Sequence, residues 1–304
     1  MSIVDEKPAK ARLPSWIRVR VGAGGAPSAV AGILGEAGLH TVCASAHCPN
    51  QSECFGRGTA TFLILGDRCT RRCRFCAVEG GQPAAPDPGE AGRVAAAAAR
   101  LKLRYVVVTS VTRDDLPDGG AGAFAETILA LRAACQGVRV EVLTPDFGGR
   151  EADIDTVLDA QPDVFNHNLE TVRRLQRTIR PQADYARSLA VLAHAARRGR
   201  EVVVKSGMMV GLGETDEELF EALGDLHAAG CRALTIGQYL SPSPAHQPVA
   251  RFVPPATFEE YRATALRMGF SAVAAGPMVR SSYNAEALCS TPTLGAPAGI
   301  AHGC

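Results

Sequence analysis

From about residue 60 onward, apolar and polar positions follow two alternating rhythms. Short runs rich in Val, Ile, Leu or Thr and closed by polar or Gly positions predict β-strands at "ATFLIL" (60–65), "YVVVTS" (105–110), "VRVEVLT" (138–144), "DVFNHNLE" (163–170), "EVVVKSG" (201–207) and "ALTIGQYL" (233–240). Between them, apolar residues recur at helical spacing: Phe124, Ile128 and Leu131; Tyr185, Leu189 and Leu192; Leu219, Leu223 and Leu226. Thr215 with Glu218 reads as a capping box and Gly230 as a stop, while Thr257, Glu260 and Gly269 predict a further helix bounded in the same way.

Six β-run/helix alternations in one direction predict an α/β fold with a parallel sheet and right-handed crossovers, either doubly wound or a barrel. The pattern favours a partial (β/α)6 barrel spanning residues 59–276, with an N-terminal extension (1–58) and a C-terminal one (277–304). In such a fold the carboxyl ends of the strands share one face, where chemistry gathers. Polar residues concentrate there: Thr109, Ser110, Thr144, Asp146, Asn166, Asn168, Glu170, Lys205, Ser206 and Gln238. A lysine directly after "EVVV" is hard to explain as core filler. The loop-like "GGQPAAPDPGE" (80–90) fits a long βα connection within the same domain.

The 304 residues are 46% hydrophobic, enough for a sizeable core. A net charge of +1 without a long basic run argues against nucleic-acid or membrane partners. The first twenty residues mix charges with two prolines and lack a continuous apolar stretch, so a cytoplasmic protein is expected. In that setting ten cysteines point to metal rather than to a disulfide scaffold.

Six of the ten form two triads. Cys43, Cys48 and Cys54 are spaced CxxxxCxxxxxC, and Cys69, Cys73 and Cys76 are spaced CxxxCxxC. A structural zinc site wants four N or S ligands, which neither triad supplies alone, although His47 would complete the first. Iron–sulfur clusters usually take four thiolates, so three leave one iron open to a substrate or an unusual residue. The scattered Cys135, Cys231, Cys289 and Cys304 read as buried or incidental thiols.

CxxxCxxC directly after the first β-run resembles the signature of the radical S-adenosylmethionine (SAM) enzymes. That resemblance implies a partial barrel of the radical SAM type and a [4Fe-4S] cluster on Cys69, Cys73 and Cys76, whose fourth iron chelates SAM. It also implies cleavage of SAM to methionine and a 5′-deoxyadenosyl radical, with Phe75 as the aromatic residue common at its place. The upstream triad narrows the match. With "CPNQSEC", "GTATFLILGDRCTRRCRFCAV", "VVVTSVTRDDLPDGGA", "EVLTPDFGG", "PDVFNHNLETV", "KSGMMVGLGET", "LTIGQYLSPS" and "GPMVRSSYNAE", residues 40–286 resemble the lipoyl synthase family.

That family resemblance implies a second [4Fe-4S] cluster held by Cys43, Cys48, Cys54 and a serine of the RSSY motif, carried over to Ser282 with Ser281 as the alternative. Two SAM molecules would serve to abstract hydrogens from C6 and C8 of an octanoyl chain on a carrier lysine, and the second cluster would donate both sulfurs. The implied partners are octanoylated lipoyl domains of 2-oxoacid dehydrogenase E2 subunits or the glycine cleavage H protein, a flavodoxin or ferredoxin-type reductant, and iron–sulfur assembly proteins. Position on the strand-end face gives Thr109, Asn168 and Glu170 to the ribose or methionine part of SAM, and Arg180 or Lys205 to its carboxylate. Contacts to the peptide substrate and internal ion pairs are the alternatives for these residues.

Arg71, Arg72 and Arg74 either offset the charge of the first cluster or are solvated. Within the same chemistry, a biotin synthase or methylthiotransferase relative competes with this reading, and outside it a zinc-stabilised binding module. "GLGE" (211–214) lacks the third glycine of a dinucleotide fingerprint and reads as a flexible turn. His167 reads as a hydrogen-bonded strand-end residue rather than a ligand. No GxSxG or HExxH motif appears.

Overall fold

The computed structural model describes residues 13–17, 26–45, 48, 50, 53–54, 61–199 and 201–289. Its centre is an eight-stranded sheet. The strands, in chain order, are β1 (His40–Thr41) and β2 (Thr61–Ile64), a small separate pair β3 (Arg68–Cys69) and β4 (Glu79–Gly80), then β5 (Tyr105–Ser110), β6 (Arg139–Leu143), β7 (Val164–Asn166), β8 (Val203–Val210), β9 (Ala233–Gln238) and β10 (Ala272–Gly276). The large sheet runs β1-β2-β5-β6-β7-β8-β9-β10, with β1 antiparallel to β2 and every other pairing parallel. Strand order follows chain order without a reversal, so the sheet winds in one direction as a barrel does, and it stays open.

The six expected strands are present, and β10 adds a seventh parallel one that "SAVAAG" carries too few β-branched residues to announce. The fourth run is shorter than expected: β7 ends at Asn166, and the chain then crosses so that Glu170 bridges Met208. The fifth run is longer, because Gly207 lies inside β8 and Met208, Met209 and Val210 continue it. Lys205 is therefore in mid-strand, not at its carboxyl end. The helix expected at Thr257 starts two residues earlier, at Pro255, whose fixed φ and missing N–H suit a first turn. The Thr215–Glu218 capping box is present, and Gly230 and Gly269 follow their helices with φ of +91° and +106°.

Helices Glu90–Arg100, Ala121–Ala134, Glu151–Asp159, Tyr185–Arg198, Asp216–Ala228 and Pro255–Arg267 connect successive parallel strands. Their apolar faces, including Phe124, Ile128, Leu131, Leu219, Leu223 and Leu226, share one core with Val106, Val108, Val140, Val142 and Ile236 of the sheet. Each such side chain, fully buried, contributes roughly 1.5–3 kcal/mol. Strand residues of opposite parity face inward, and there Tyr105, Val107 and Val164 pack against Ala285 and Leu288. After β10 the chain thus turns back through the interior of the open sheet and ends, among the described residues, in helix Ala285–Cys289. A closed barrel fills that space with its own side chains; here the tail does so. Among the described residues, no helix is long and apolar enough to cross a membrane.

Candidate active site

The loop after β2 carries Cys69, Cys73 and Cys76, and the backbone around it is tied down on several sides. β3 and β4 pair at its neck. Thr70 N donates to Thr112 O (3.1 Å), Arg74 N to Ile179 O (2.8 Å) and Gln247 N to Arg74 O (2.9 Å), which fastens the loop to segments following β5, β7 and β9. A His246 ring nitrogen lies 3.1 Å from Cys76 O. Phe75 packs with Ile179, Leu212 and Tyr239 in a small apolar cluster that pins the loop from beneath. Amides of Arg71 and Thr112 donate to Cys69 Sγ at 3.4 and 3.3 Å. Burial pushes the free Cys76 thiol up to about 12 and also raises Cys73, although the Arg180 charge opposes the rise at Cys73. These thiols give up their protons when a metal takes their place.

Arg71 resolves differently from its neighbours. Arg72 and Arg74 are exposed, whereas Arg71 is 6% exposed and makes paired hydrogen bonds of 2.7–3.0 Å to both Asp114 and Asp146. Asp146 is completely buried; burial alone would raise its carboxyl, but the bonds and charge of Arg71 outweigh that and hold it well below the usual range. This pairing clamps the cysteine loop to the loops after β5 and β6. The fork geometry of a guanidinium suits it for two carboxylates at once.

Around the carboxyl ends of β5 and β7 the other expected residues assemble. Thr109 donates to Leu143 O at 2.9 Å. Asn168 Nδ2 donates to both Glu170 Oε1 (3.0 Å) and Ser281 Oγ (2.6 Å). Arg180 Nη1 donates to the carbonyls of Asn168 and Leu169. Glu170 sits at φ +70°, a left-handed conformation that lets its N–H reach Gly207 O and its C=O accept from Met209 N. Its recessed carboxyl is raised by burial, against the opposing pull of Arg180. His167 bonds Thr144 O and Ser188 Oγ, and burial, reinforced by the Arg180 charge, pulls it down to about 4, so it is a neutral core histidine as its sequence position suggests. Gln238 is consumed in the fold, donating to three carbonyls and accepting from Val253 N.

Several buried polar atoms have no hydrogen-bond partner among the described residues: Ser110 Oγ, Asn168 Oδ1, Arg180 Nε and both amide atoms of Gln176. Buried polar groups are normally satisfied, so this collection fits a polar ligand carrying hydroxyl, amino and carboxylate groups, as SAM does. Gln176 escaped the sequence reading because nothing distinguishes it within "RRLQRTIR". For Lys205 the internal ion pair, one of the expected alternatives, is the arrangement present: it is fully buried, paired with Glu141 at 2.7 Å and donating to Ser281 O at 2.7 Å.

The second triad is built from the chain's two ends. Cys43, Cys48, Cys54, Asn50 and Thr61 line a small open pocket together with Arg280, Ser282 and Tyr283. Asn50 Nδ2 donates to Met278 O (2.6 Å) and Tyr283 Oη to Glu53 Oε1 (3.1 Å), binding the tail across the cysteines. Burial pushes the Cys43 thiol up to about 11. Ser282 lines this pocket, while Ser281 is turned to Asn168. His47 lies outside the described residues. Among those described, no three His, Cys, Asp or Glu side chains converge as a single-ion site requires. In a four-iron cluster each thiolate binds its own iron, so thiolates stand farther apart. Three soft thiolates and one hydroxyl suit such a cluster.

An open, singly wound parallel sheet with a three-cysteine loop after its first strand defines the class. The model of the Radical SAM superfamily matches residues 63–226, and the fold is shared with solved structures. Methylornithine synthase aligns over 81% of this chain and 74% of its own with a TM-score of 0.52 at 15% identity. The [FeFe]-hydrogenase maturase HydG of Carboxydothermus hydrogenoformans aligns over 69% and 52% with a TM-score of 0.54 at 13% identity.

Within that superfamily the relation is specific. Lipoyl synthase of Methylococcus capsulatus is 56% identical over 92% of this chain and 88% of its own, and that of Thermus thermophilus 52% identical over 92% and 87%. The chain belongs to the lipoyl synthase family, radical SAM sulfurtransferases that work with SAM and [4Fe-4S] chemistry.

Proposed function

We propose that this protein inserts two sulfur atoms, at C6 and C8, into an octanoyl chain carried on a lysine of a lipoyl domain, and that it holds two [4Fe-4S] clusters to do so. Cys69, Cys73 and Cys76 would hold the cluster that binds SAM, and Cys43, Cys48, Cys54 and Ser282 the one consumed as sulfur source. The observation that carries this reading is the meeting of three upstream cysteines with a tail serine in one pocket, beside a separate and independently anchored triad.

When bound, these groups supply a carbon radical able to take hydrogen from an unactivated C–H bond, and sulfide to replace it; no side-chain base reaches such a bond. The protein's part is positional. Arg71 with Asp114 and Asp146 fixes the SAM-cluster loop; Asn168, Glu170, Arg180, Thr109 and Gln176 present polar groups to SAM; and the tail closes the sheet's interior against water. The hydroxyl ligand is a poorer partner for iron in a sulfur-rich cluster than a thiolate, which suits a cluster that must come apart. The carriers fitting this chemistry are E2 lipoyl domains and the glycine cleavage H protein, with a flavodoxin or ferredoxin-type reductant, assembly proteins to rebuild the cluster, and a cytoplasmic setting.

Anaerobic reconstitution should yield about eight irons per chain by ligand count. The loaded protein, given octanoyl-lysyl peptide, SAM and dithionite, should form lipoyl peptide and 5′-deoxyadenosine. Zinc without sulfide would overturn the reading. Deoxyadenosine without thiolated peptide would retain the radical chemistry and discard the substrate.

A further inference from the structure

Glu141 and Lys205 each interrupt an apolar strand, and both side chains are completely buried. Glu141 Oε1 accepts from Lys205 Nζ (2.7 Å) and Asn166 Nδ2 (3.1 Å), and its Oε2 from Tyr105 Oη (2.6 Å). Four neighbouring strands, β5 to β8, thus fix one carboxylate, and the carboxylate fixes the ammonium. A second Nζ proton goes to Ser281 O at 2.7 Å. From the same side Asn168 holds Ser281 Oγ. Buried ion pairs are commonly replaceable by apolar residues without loss of stability, so stability alone does not account for this one.

The sheet also gives up side chains to admit the tail. A Cβ on Gly207 would lie 2.9 Å from Ser281 Oγ and 2.7 Å from Asn168 Oδ1, and one on Gly237 only 2.2 Å from Val279 O. With Ser281 gripped by backbone and side chain toward the sheet, its neighbour Ser282 is left on the pocket lined by Cys43, Cys48 and Cys54.

We propose that Lys205, aimed by Glu141, is the positioning residue of Ser282: by holding Ser281 O, it presents the Ser282 hydroxyl to the upstream cysteines. The inference rests on the proposed second cluster. A weak oxygen ligand gains most from being held in place, as supporting groups around metal ligands do elsewhere.

The test uses the full chain with Cys69, Cys73 and Cys76 replaced by Ala, so that only the upstream site loads. After anaerobic reconstitution, ferricyanide removes one electron from the cluster, and the release of one iron(II) to a chelator is followed by the EPR signal of the oxidised three-iron product. Four proteins are compared: this parent, Glu141→Gln/Lys205→Met, Ser282→Ala, and the combination. The neutralised pair should release its first iron about tenfold faster than the parent, the weight of one charge-assisted hydrogen bond. It should add nothing in the Ser282→Ala background, because residues acting through one ligand are not additive. Release at the parent rate, or an effect that adds to Ser282→Ala, overturns the role of Lys205 while leaving the cluster reading intact. A parent that loads no cluster, or a Ser282→Ala rate equal to the parent's, overturns that reading instead. Should the double change lower the melting temperature too far to load, Glu141→Gln/Lys205→Gln keeps neutral hydrogen bonding and leaves no buried charge unpaired; faster release supports the proposal and an unchanged rate rejects it.

Discussion

The two cysteine triads are built on opposite principles. The one at Cys69–Cys76 lies within eight residues, and loops after β5, β6, β7 and β9 bind it as a unit: Arg71 between two carboxylates, Phe75 in an apolar socket, Gln247 and Ile179 on its backbone. The triad at Cys43–Cys54 shares its pocket with residues more than two hundred positions away, held there by Asn50–Met278 and Tyr283–Glu53 contacts. The first is a loop fastened to a scaffold, and the second is a seam between chain ends. A site meant to survive turnover profits from the former, and a site meant to be emptied and refilled profits from the latter.

Separating the triads sharpens that comparison most. Cys69→Ala should abolish SAM cleavage while retaining about four irons, and Cys48→Ala should leave SAM cleavage but no sulfur insertion; iron analysis and chromatography of deoxyadenosine distinguish them. Next, Ser282→Cys should keep both clusters yet lose most lipoyl product, since a thiolate grips the iron that must leave. Undiminished product would remove Ser282 from the ligand set.

Smaller effects probe the scaffold. Arg71→Leu leaves Asp146 buried without its main partner and should cost about 3–5 kcal/mol in denaturant unfolding of the apoprotein, with Arg71→Leu/Asp146→Asn recovering much of it. The upstream triad's iron content should hardly change, which would show that the clamp serves one triad alone. Finally, His167 stays neutral in the fold down to about pH 4, whereas the unfolded chain takes up a proton below about 6.5. Its contribution to stability is full above that pH and is lost as the pH falls from about 6.5 towards 4. The loss amounts to about 3 kcal/mol at 1.36 kcal/mol per unit. A His167→Gln protein should show a flatter stability profile across that window.

Much of this was legible in the sequence where the signal was local. Strand and helix periodicity located six parallel strands and four of their helices, and CxxxCxxC stands intact within one loop. Length and pairing depend on neighbours, so β8 running past Gly207 and the weakly marked β10 were not legible. Nor was the use of Lys205. Its oddity was visible, as was that of Glu141 in "VRVEVLT", but only the register of β6, β7 and β8 brings two interruptions of opposite charge together. Arg71 looked like its neighbours Arg72 and Arg74 because sequence carries no exposure. Gln176 gave no signal at all, since an unsatisfied amide is defined by what surrounds it.

The threading of residues 278–289 through the sheet's interior bears on the order in which the molecule is completed. Each β/α unit closes against its immediate neighbour in the chain, whereas the Asn50–Met278 contact spans 228 positions and closes a far larger loop. A chain leaving the ribosome exposes the cysteines of both triads before the sheet is built, but it lacks Ser282 until β10 has been made. The seam would therefore work as a proof of completeness: a chain cut short before Ser282 carries every cysteine of both triads and lacks the residue proposed to finish the second.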